Sequence, residues 1–397
     1  MDPCFRQSGT KRVRTGCENQ SAHWQRSHFL VLRIYMDSKV EILSPAPRDL
    51  WQKAISAQSG ALLSHTPQWL DTICAVDGWT DASRLYLWPS GQYLVLPMVG
   101  KRLGGGLATI EDSFPPGWGY GGVISSRNVT PDELAVVIAD LASSRNSLRV
   151  HICPNSLQGN AWWQVVPATS RRTVIWRRNA HAIDLEGGTN AVWKRFSQNA
   201  RRGIRKAEKQ GIEVECDTTG RLLGVFEELL LLSTQRWAKQ DDVPVSLIRM
   251  RIRRFNPANR WPEIIKRIGG GVAIWLARYR GEPAAALVIL RGPNDHYTRG
   301  AMCKELAGQT GANKLLHWLA IQDACQRGAR WYQMGQSGFG DPVGFFKESL
   351  GAQAYPFPEF QLERLPITFL TGLTGVARAS ARHLLTMAHG AIQPFAT

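Results

Sequence analysis

The chain has 397 residues, 44% of them hydrophobic, and a formal net charge of +16 at pH 7, which suits two or three domains with buried cores. This positive charge indicates an anionic partner, such as a nucleotide, CoA, tRNA, a phosphorylated sugar carrier or an acidic membrane surface. No apolar run approaches the roughly 20 residues of a membrane span, and the seven cysteines show neither C-x-x-C spacing nor partnered histidines. A zinc site and a disulfide framework are therefore not indicated, and a cytoplasmic location is expected.

Residues 1–35 have few periodic apolar positions and no cleavage-site pattern, so they are predicted to be a disordered basic leader. Residues 36–185 are predicted to form the first domain. Its predicted helices are 47–58, 65–76 and 131–144, its predicted strands are 84–88, 92–99 and 148–152, and a glycine-rich stretch covers 104–122. Thr130 is the expected N-cap of the third helix, with Pro131 at the first helical position.

Residues 186–365 are predicted to form the second domain, and residues 366–397 a C-terminal tail. The domain is predicted to contain strands 271–278, 284–291 and 296–302, a loop 303–311, a helix 312–327 and a strand 331–334. This alternation of strands and helices is typical of a mixed α/β fold.

The most strongly charged stretch of the chain begins the second domain. It carries these cations: Lys194, Arg195, Arg201, Arg202, Arg205, Lys206 and Lys209. Small and apolar residues recur there at three- and four-residue spacing: Val192, Phe196, Ala200, Gly203 and Ala207. On a helix this spacing places them along one side, so the helix buries that side and presents a dense positive field on the other. A plain solvated basic face is the alternative interpretation.

The wording of this stretch, R-x-x-I-R-K-A-x-K-x-G-I-x-V, resembles the hallmark of FemAB-type proteins, which are acyl- and aminoacyl-transferases with tandem GNAT-like acetyltransferase domains. The resemblance covers most of residues 36–365. It also rests on S-H-T-P-Q-W-L at 64–70, on G-A-N-K-L-L-H-W at 311–318 and on F-F-K-x-x-x-G at 345–351. It implies an α/β fold of two tandem GNAT-like (acyl-CoA N-acyltransferase) domains, with a β-β-β-loop-α-β core in the second.

Acyl transfer requires a held donor, a deprotonated nucleophile and hydrogen-bond donors for the developing oxyanion. In a GNAT-like core these meet where two parallel strands splay apart, here expected at 296–302 and 331–334. The residues expected to cradle the donor's phosphates follow the first of these strands: Gly308, Gln309, Thr310, Gly311, Ala312 and Asn313. This segment departs from the usual acetyl-CoA pattern Q/R-x-x-G-x-G/A, and an ordinary tight loop with a helix N-cap is the alternative.

Lys347 is the leading catalytic candidate, because the resemblance places the matching F-K lysine in the active-site channel. A cation there can contact a carboxylate, a phosphate or a developing oxyanion, and Phe346 is expected to shape the channel wall. Glu305 is a candidate for base or water positioning. The expected substrate-binding residues are Arg299, Gln336, Ser337, Arg201 and Arg205. Structural roles are the alternative for Arg299 and Glu305, and no metal-ligand cluster is expected.

The predicted function is therefore an enzyme, an N-acyltransferase that uses acyl-CoA or aminoacyl-tRNA as a co-substrate without a tightly bound cofactor. The expected acceptor is an amine of an anionic small molecule or of a cell-envelope or polysaccharide precursor. Some cell-wall members of the family insert a coiled-coil arm after the basic helix, and the relatives that lack this arm, as this chain does, are often tied to exopolysaccharide production. Contact with a membrane surface is a further expectation. The alternative is a non-catalytic anion- or RNA-binding protein on a degenerate GNAT core.

Overall fold

The computed structural model describes residues 40–144, 146–166, 172–240, 242–255 and 260–365. The predicted leader and tail lie outside the described residues. Within the described ranges the strands are β1 (Glu41–Leu43), β2 (Thr80–Asp81), β3 (Arg84–Leu87), β4 (Tyr93–Leu96), β5 (Val99–Leu103), β6 (Ala108–Ser113), β7 (Ser147–Ile152), β8 (Arg172–Asp184), β9 (Glu213–Asp217), β10 (Val272–Tyr279), β11 (Glu282–Arg291), β12 (Asp295–Met302), β13 (Trp331–Gln336) and β14 (Gln353–Glu363).

The helices of the same ranges are α1 (Arg48–Ala57), α2 (Pro67–Asp77), α3 (Pro131–Ser143), α4 (Gly159–Val165), α5 (Gly188–Arg195), α6 (Gln198–Lys209), α7 (Leu223–Gln240), α8 (Val245–Phe255), α9 (Arg260–Ile268), α10 (Lys304–Thr310), α11 (Ala312–Gln326) and α12 (Pro342–Ser349). Each helix in the described part of the chain is too short or too polar to span a bilayer.

Eleven of the described strands form one mixed sheet, in the order β2-β5-β6-β7-β14-β8-β13-β12-β11-β10-β9. Two neighbouring pairs in it are parallel, β6 with β7 and β12 with β13. Each parallel pair is joined by a crossover that contains a helix, α3 in the first half and α11 in the second, as parallel strands require. The predicted mixed α/β fold, with one plan used twice, is confirmed.

The two halves share this sheet by exchanging strands. β8, from the first half, lies between β13 and β14 and pairs antiparallel with both. β14, from the second half, pairs with β7 as well as β8. The predicted boundary after residue 185 coincides with the end of β8, but the hydrogen bonds of the sheet cross it in both directions.

Most predicted elements are present within a few residues of their expected ends. The start of α3 follows the expected capping chemistry: the Thr130 hydroxyl accepts a hydrogen bond from the Glu133 amide at 3.3 Å, and the Glu133 carboxylate accepts one from the Thr130 amide at 2.9 Å. This reciprocal pair is a capping box, with Pro131 in the first turn.

Two predicted segments are wrong. The expected strand 92–99 is divided between β4 and β5. The glycine-rich stretch, for which the sequence predicts no element, contains β6. The expected loop 303–311 is mostly the helix α10, which ends where Gly311 adopts a φ of 79°. Its two glycines favoured a loop, but Ala307 and Thr310 are buried against the core, and this packing outweighs the low helix propensity of Gly308.

The predicted basic helix is two helices, α5 and α6, because Phe196 is extended and Ser197 caps the second. The Ser197 hydroxyl accepts a hydrogen bond from the Ala200 amide at 3.1 Å. The buried positions of the predicted stripe are Val192, Phe196, Ala200 and Ala207, joined by Ile204. A dense, solvent-exposed basic face thus lies opposite a packed apolar side, as the spacing predicted.

α6 packs closely against the start of α11. A Cβ atom added to Gly311 would lie 2.5 Å from the carbonyl oxygen of Gly203. The Lys314 ammonium reaches the carbonyl oxygen of Asn199 at 3.5 Å. The basic face of α6 is therefore held beside the first turn of α11.

In the first half, the chain itself fills the space where β6 and β7 diverge. After Ser113 and Ile152 the parallel pairing ends, and Gly121 then bridges Pro154. A Cβ atom on Gly121 would lie 2.0 Å from the Ser113 hydroxyl, so only glycine fits there. Trp118 and Tyr120 are buried in this segment, which makes it a packed loop.

Candidate active site

β12 and β13 diverge soon after they meet. Their parallel pairing covers Asp295 with Tyr332 and His296 with Gln333. β12 then carries a bulge at Thr298, where its register against β11 shifts by one residue, and the Thr298 hydroxyl donates to the carbonyl oxygen of Val288 at 3.1 Å. Bulges of this kind are common next to active sites. The gap that the sequence predicted between these two strands is present.

A cavity of about 340 Å³ occupies this gap. Its walls come from α7, β12, β13, the first turn of α11 and α12. From the predicted site residues it is lined by Arg299, Asn313, Gln336, Phe346 and Lys347. Five residues spread over about fifty positions of the sequence are thus brought to one opening.

Lys347 is almost completely buried, with 3% of its surface exposed. Its ammonium group donates hydrogen bonds to the carbonyl oxygens of Gly335 at 3.1 Å and Gln336 at 2.7 Å. These carbonyls lie at the end of β13, where that strand leaves β12. Lys347 is therefore not an exposed helix lysine, and its cation is fixed at the wall of the cavity.

The helix that carries Lys347 and Phe346 is positioned by its N-cap. The Asp341 carboxylate accepts hydrogen bonds from the amides of Gly344 at 2.6 Å and Gly338 at 2.8 Å, and Pro342 occupies the first turn. This cap fixes the start of α12. Phe346 projects into the cavity wall and packs against the ring of His317 at 5.6 Å.

Two buried histidines, His296 and His317, flank this region, and neither is among the predicted site residues. Burial, with the positive charge of Lys347 adding to it, lowers the pKa of His296 and of His317 to about 3. Both imidazoles are therefore neutral near pH 7. His317 packs against Tyr297 and lies 3.2 Å from the Tyr332 hydroxyl through Nδ1. Burial raises the pKa of Tyr332 well above its usual value, so this hydroxyl stays protonated.

The remaining predicted residues lie at different distances from the cavity. Ser337 is buried behind it, with its hydroxyl 2.7 Å from Nδ1 of His181. Glu305 is exposed in the first turn of α10, where its carboxylate accepts a hydrogen bond from the Cys303 thiol at 3.3 Å. Glu305 does not line the cavity.

The predicted phosphate cradle is not a loop, because α10 occupies most of it. Gly308 and Gln309 are exposed on this helix, whereas Thr310 and Ala312 are buried. Thr310 donates its hydroxyl to the carbonyl oxygen of Leu306 at 2.7 Å, and Gly311 packs on α6 as described above. Of these six candidates, Asn313 is the one that the structure places at the cavity.

Arg201 and Arg205 lie on α6, outside the cavity lining. Arg201 is half-buried and Arg205 is exposed, with its guanidinium 5.9 Å from the ring centre of Trp193. α6 packs against the first turn of α11, which carries Asn313. Both cations therefore lie on a helix that neighbours one wall of the cavity.

α7 contributes a wall of the cavity that no sequence motif predicts. Leu230, Ser233, Arg236 and Trp237 all line the cavity from this helix. Their three- and four-residue spacing places them on one side, which is the signal that was available in the sequence. The Ser233 hydroxyl accepts from the Met302 amide at 3.1 Å and lies 3.2 Å from the Met302 carbonyl, so α7 is tied to the end of β12.

Arg236 adds a half-buried cation to the cavity, beside Arg299 and Lys347. Its guanidinium donates to the carbonyl oxygen of Met302 at 3.3 Å. Burial lowers its pKa, while the nearby charge of Glu305 opposes that shift. Glu305 is thus within electrostatic reach of a residue that lines the cavity.

The comparisons with known proteins bear on the same region. The family model that describes an acetyltransferase (GNAT) domain matches residues 194–347, from the basic helices to Lys347. This segment is a GNAT domain. Over a longer span the fold is similar to the crystal structure of FemX, with a TM-score of 0.60 and 11% identity over 83% of this chain and 99% of FemX.

Two further solved structures are more distant. They are the C-terminal domain (DUF2156) of a putative lysylphosphatidylglycerol synthetase from Agrobacterium fabrum (TM-score 0.42, 11% identity, 83% of this chain and 95% of that chain) and a tandem GNAT protein from the clavulanic acid biosynthesis pathway (TM-score 0.38, 13% identity, 81% and 98%). The fold inference rests on FemX, because these two scores are low. None of the curated proteins matches the sequence.

The GNAT part of the resemblance inferred from sequence motifs is therefore confirmed for residues 194–347, and the likeness to FemX is one of fold. The GNAT domain includes both diverging strands, the bulge and the start of α12. Its fold is one used for acyl transfer.

Proposed function

We propose that this chain is an N-acyltransferase, which moves an acyl or aminoacyl group from an activated donor to an amine. The observation that carries this proposal is the buried Lys347 ammonium at the wall of a cavity between two diverging strands of a GNAT domain. The pairing of a cavity with a fixed cation suits a reaction in which a carbonyl oxygen becomes negative.

In the proposed reaction the amine nitrogen of the acceptor bonds to the acyl carbonyl carbon. The bond from that carbon to the donor's thioester sulfur or ester oxygen then breaks, and the leaving group departs with a proton that the amine gives up. Lys347 stabilises the oxyanion by its charge.

The donor is proposed to be an acyl-CoA or an aminoacyl-tRNA, held without a tightly bound cofactor. Arg299 and Asn313 face the cavity and suit the donor's polar part. Arg201 and Arg205 lie outside it on α6, where they suit the phosphates of a long donor by charge. The junction between α10 and α11 is proposed to shape the path by which the donor enters, instead of forming a loop around its phosphates. The junction consists of Gly308, Gln309, Thr310, Gly311 and Ala312.

The acceptor is proposed to be an amine of a small molecule or of a cell-envelope or polysaccharide precursor. Gln336 lies at the cavity and Ser337 directly behind it, so the end of β13 is the proposed acceptor side. Phe346 forms the wall between donor and acceptor. Glu305 is proposed to act at the edge of the cavity through water, because it is exposed there and influences Arg236.

A donor panel tests this function. The full chain is incubated with acetyl-CoA, longer acyl-CoAs or charged tRNAs together with amino sugars and other amines, and the acylated product is measured by mass spectrometry. We expect transfer from one donor class and a rise in melting temperature with that donor, since a bound ligand stabilises the folded state. No product and no thermal stabilisation with any donor would contradict the proposal.

The exposed cations of α6 favour a second candidate, a non-catalytic RNA- or anion-binding protein. Arg202, Arg205 and Lys206 are exposed and form no ion pair within the described part of the chain. RNA binding through them would weaken steeply with salt and on alanine substitution of Arg201, Arg202, Arg205 and Lys206. An RNA affinity that neither change alters would remove this candidate.

A further inference from the structure

The cavity beside Lys347 is larger than an acetyl group requires. An apolar cavity of about 150 Å³ holds one benzene molecule. The cavity here measures about 340 Å³, so it has room for more than ten non-hydrogen atoms, on the order of two benzene molecules. This volume receives the acceptor amine as well as the donor's acyl group, and it still leaves room for an acyl group bulkier than acetyl.

The lining of the cavity is mainly apolar, and its apolar side chains come from four elements, α7, β12, β13 and α12. The side chains that would contact an acyl group are Leu230, Trp237, Met302, Met334, Val343 and Phe346. Flexible methionines adapt to chains of different shape, and the two aromatic rings offer flat walls. An apolar chain that is buried here is removed from water. The free energy of binding therefore becomes more favourable in proportion to the length of the chain.

The charged residues that line the cavity are all positive. They are Arg236, Arg299 and Lys347, and no Asp or Glu of the described residues is part of the lining. The side chain of a lysyl group would bury its cationic end there without an acidic partner in the lining and near three positive charges, which is unfavourable. An uncharged, apolar acyl chain or side chain has no such cost.

We propose that this cavity takes an apolar acyl group of medium length, which is either a fatty acyl chain or the side chain of a bulky apolar aminoacyl group. The inference rests on the proposed function, because it treats the cavity as the place where the donor's acyl group is held. It adds a substrate class, and it excludes small acyl groups and basic aminoacyl groups as preferred donors.

A chain-length series on the full chain tests this class. Binding of CoA, acetyl-CoA, butyryl-CoA, octanoyl-CoA, decanoyl-CoA and palmitoyl-CoA is measured by calorimetry, and kcat/KM is measured for each donor that reacts. We expect affinity to rise roughly threefold for each added methylene and to level off near ten carbons. A parallel arm compares leucyl-, phenylalanyl-, alanyl- and lysyl-tRNA, and a preference for the first two would identify the aminoacyl source.

Two variants connect the preference to the cavity. Leu230→Trp fills part of the cavity and is expected to reduce the preference for octanoyl over acetyl at least tenfold. Leu231→Trp is the matched control, because Leu231 is 39% exposed on the same helix and outside the lining. Val343→Phe narrows the cavity from α12 and replaces Leu230→Trp if that variant melts early.

The outcomes separate this inference from the proposed function. Transfer of acetyl or alanyl at least as efficiently as octanoyl or phenylalanyl, or preference for lysyl, would overturn the inference and leave acyl transfer standing. Length-dependent binding that Leu230→Trp abolishes, without transfer from any donor, would support an apolar ligand in the cavity and overturn the enzyme. Acyl-CoA binding that does not depend on chain length, together with equal binding of the four aminoacyl-tRNAs, would overturn the inference outright.

Discussion

His151 lies in a row of charged side chains that crosses four strands of the large sheet. Its Nδ1 is 2.9 Å from the Asp112 carboxylate on β6, and its Nε2 is 3.0 Å from the Glu359 carboxylate on β14. Arg149 pairs with Asp112, and Arg178 on β8 pairs with Glu359. Burial alone would lower the pKa of His151, but its hydrogen bonds to the two carboxylates raise it to about 9.

The row predicts a particular pH dependence of stability. A histidine whose folded pKa is about 9 stabilises the fold fully below its unfolded value of 6.5, and this stabilisation is lost as the pH rises through 9. Burial acts to raise the pKa of Glu359, but His151 and Arg178 hold it at about 2, so the carboxylate's contribution is lost as the pH falls from 4.5 towards 2. Support from the pair is therefore greatest between about pH 4.5 and 6.5.

The measurement is urea unfolding of the wild type and His151→Gln at pH 6 and pH 9.5. The variant is expected to be less stable at pH 6 by roughly 1–3 kcal/mol, with most of this difference gone at pH 9.5. A difference of the same size at both pH values would show that His151 acts through packing and not through its charge.

At the scale of the elements, the junction between α10 and α11 sets the position of Asn313 and of the basic helix. Gly311 has a φ of 79° and faces the backbone of Gly203, where an added Cβ would be 2.5 Å from a carbonyl oxygen. Gly308, three residues earlier, lies within α10 and has no atom within 4 Å of an added Cβ. The same substitution should thus have opposite effects at these two glycines.

Gly311→Ala is expected to lower the free energy of unfolding by about 2–4 kcal/mol, because alanine is strained at this φ and the backbone of α6 must move. Gly308→Ala should be neutral or stabilise by up to about 1 kcal/mol, because alanine favours the helix. Urea unfolding of both variants checks the pair. Equal effects at the two positions would mean that the close contact of α6 with α11 is absent.

Much of this element structure follows from local sequence signals. Thr130 and Pro131 mark the start of α3, and the stripe from Val192 to Ala207 identifies the buried side of the basic helices. α10 was mistaken for a loop because its burial, which depends on distant contacts, outweighs the preference of its glycines. The row at His151 was beyond prediction, since Glu359 reaches it through strand pairing 208 residues away.

The candidate site was predictable to a similar extent. Lys347 and Phe346 were identified by a motif, and the structure places both at the cavity. The wall from α7 carries no such motif, and its spacing alone does not show which strands it covers. Glu305 and the residues around Gly308 were singled out by their nearness in sequence to β12, but α10 turns most of them away from the gap.

At the scale of the whole molecule, the two halves use one plan with different outcomes. β6 and β7 diverge in the first half as β12 and β13 do in the second, but residues around Gly121 close the first gap. The second gap holds the cavity and Lys347. The exchange of β8 and β14 joins both halves in one sheet. β8, from the first half, therefore pairs with β13, whose Gly335 and Gln336 carbonyls accept hydrogen bonds from Lys347.

The most direct measurement is steady-state kinetics of Lys347→Met with the best donor and acceptor from the panel, beside Lys304→Met as a control at an exposed lysine. Because Lys347 is proposed to stabilise the oxyanion, its loss should lower kcat by about 100-fold or more with little change in KM, while Lys304→Met stays near the wild type. Melting temperatures establish that both variants are folded. A folded Lys347→Met enzyme with kcat within about threefold of the wild type would contradict the account, since such a change is far smaller than the loss of one oxyanion contact.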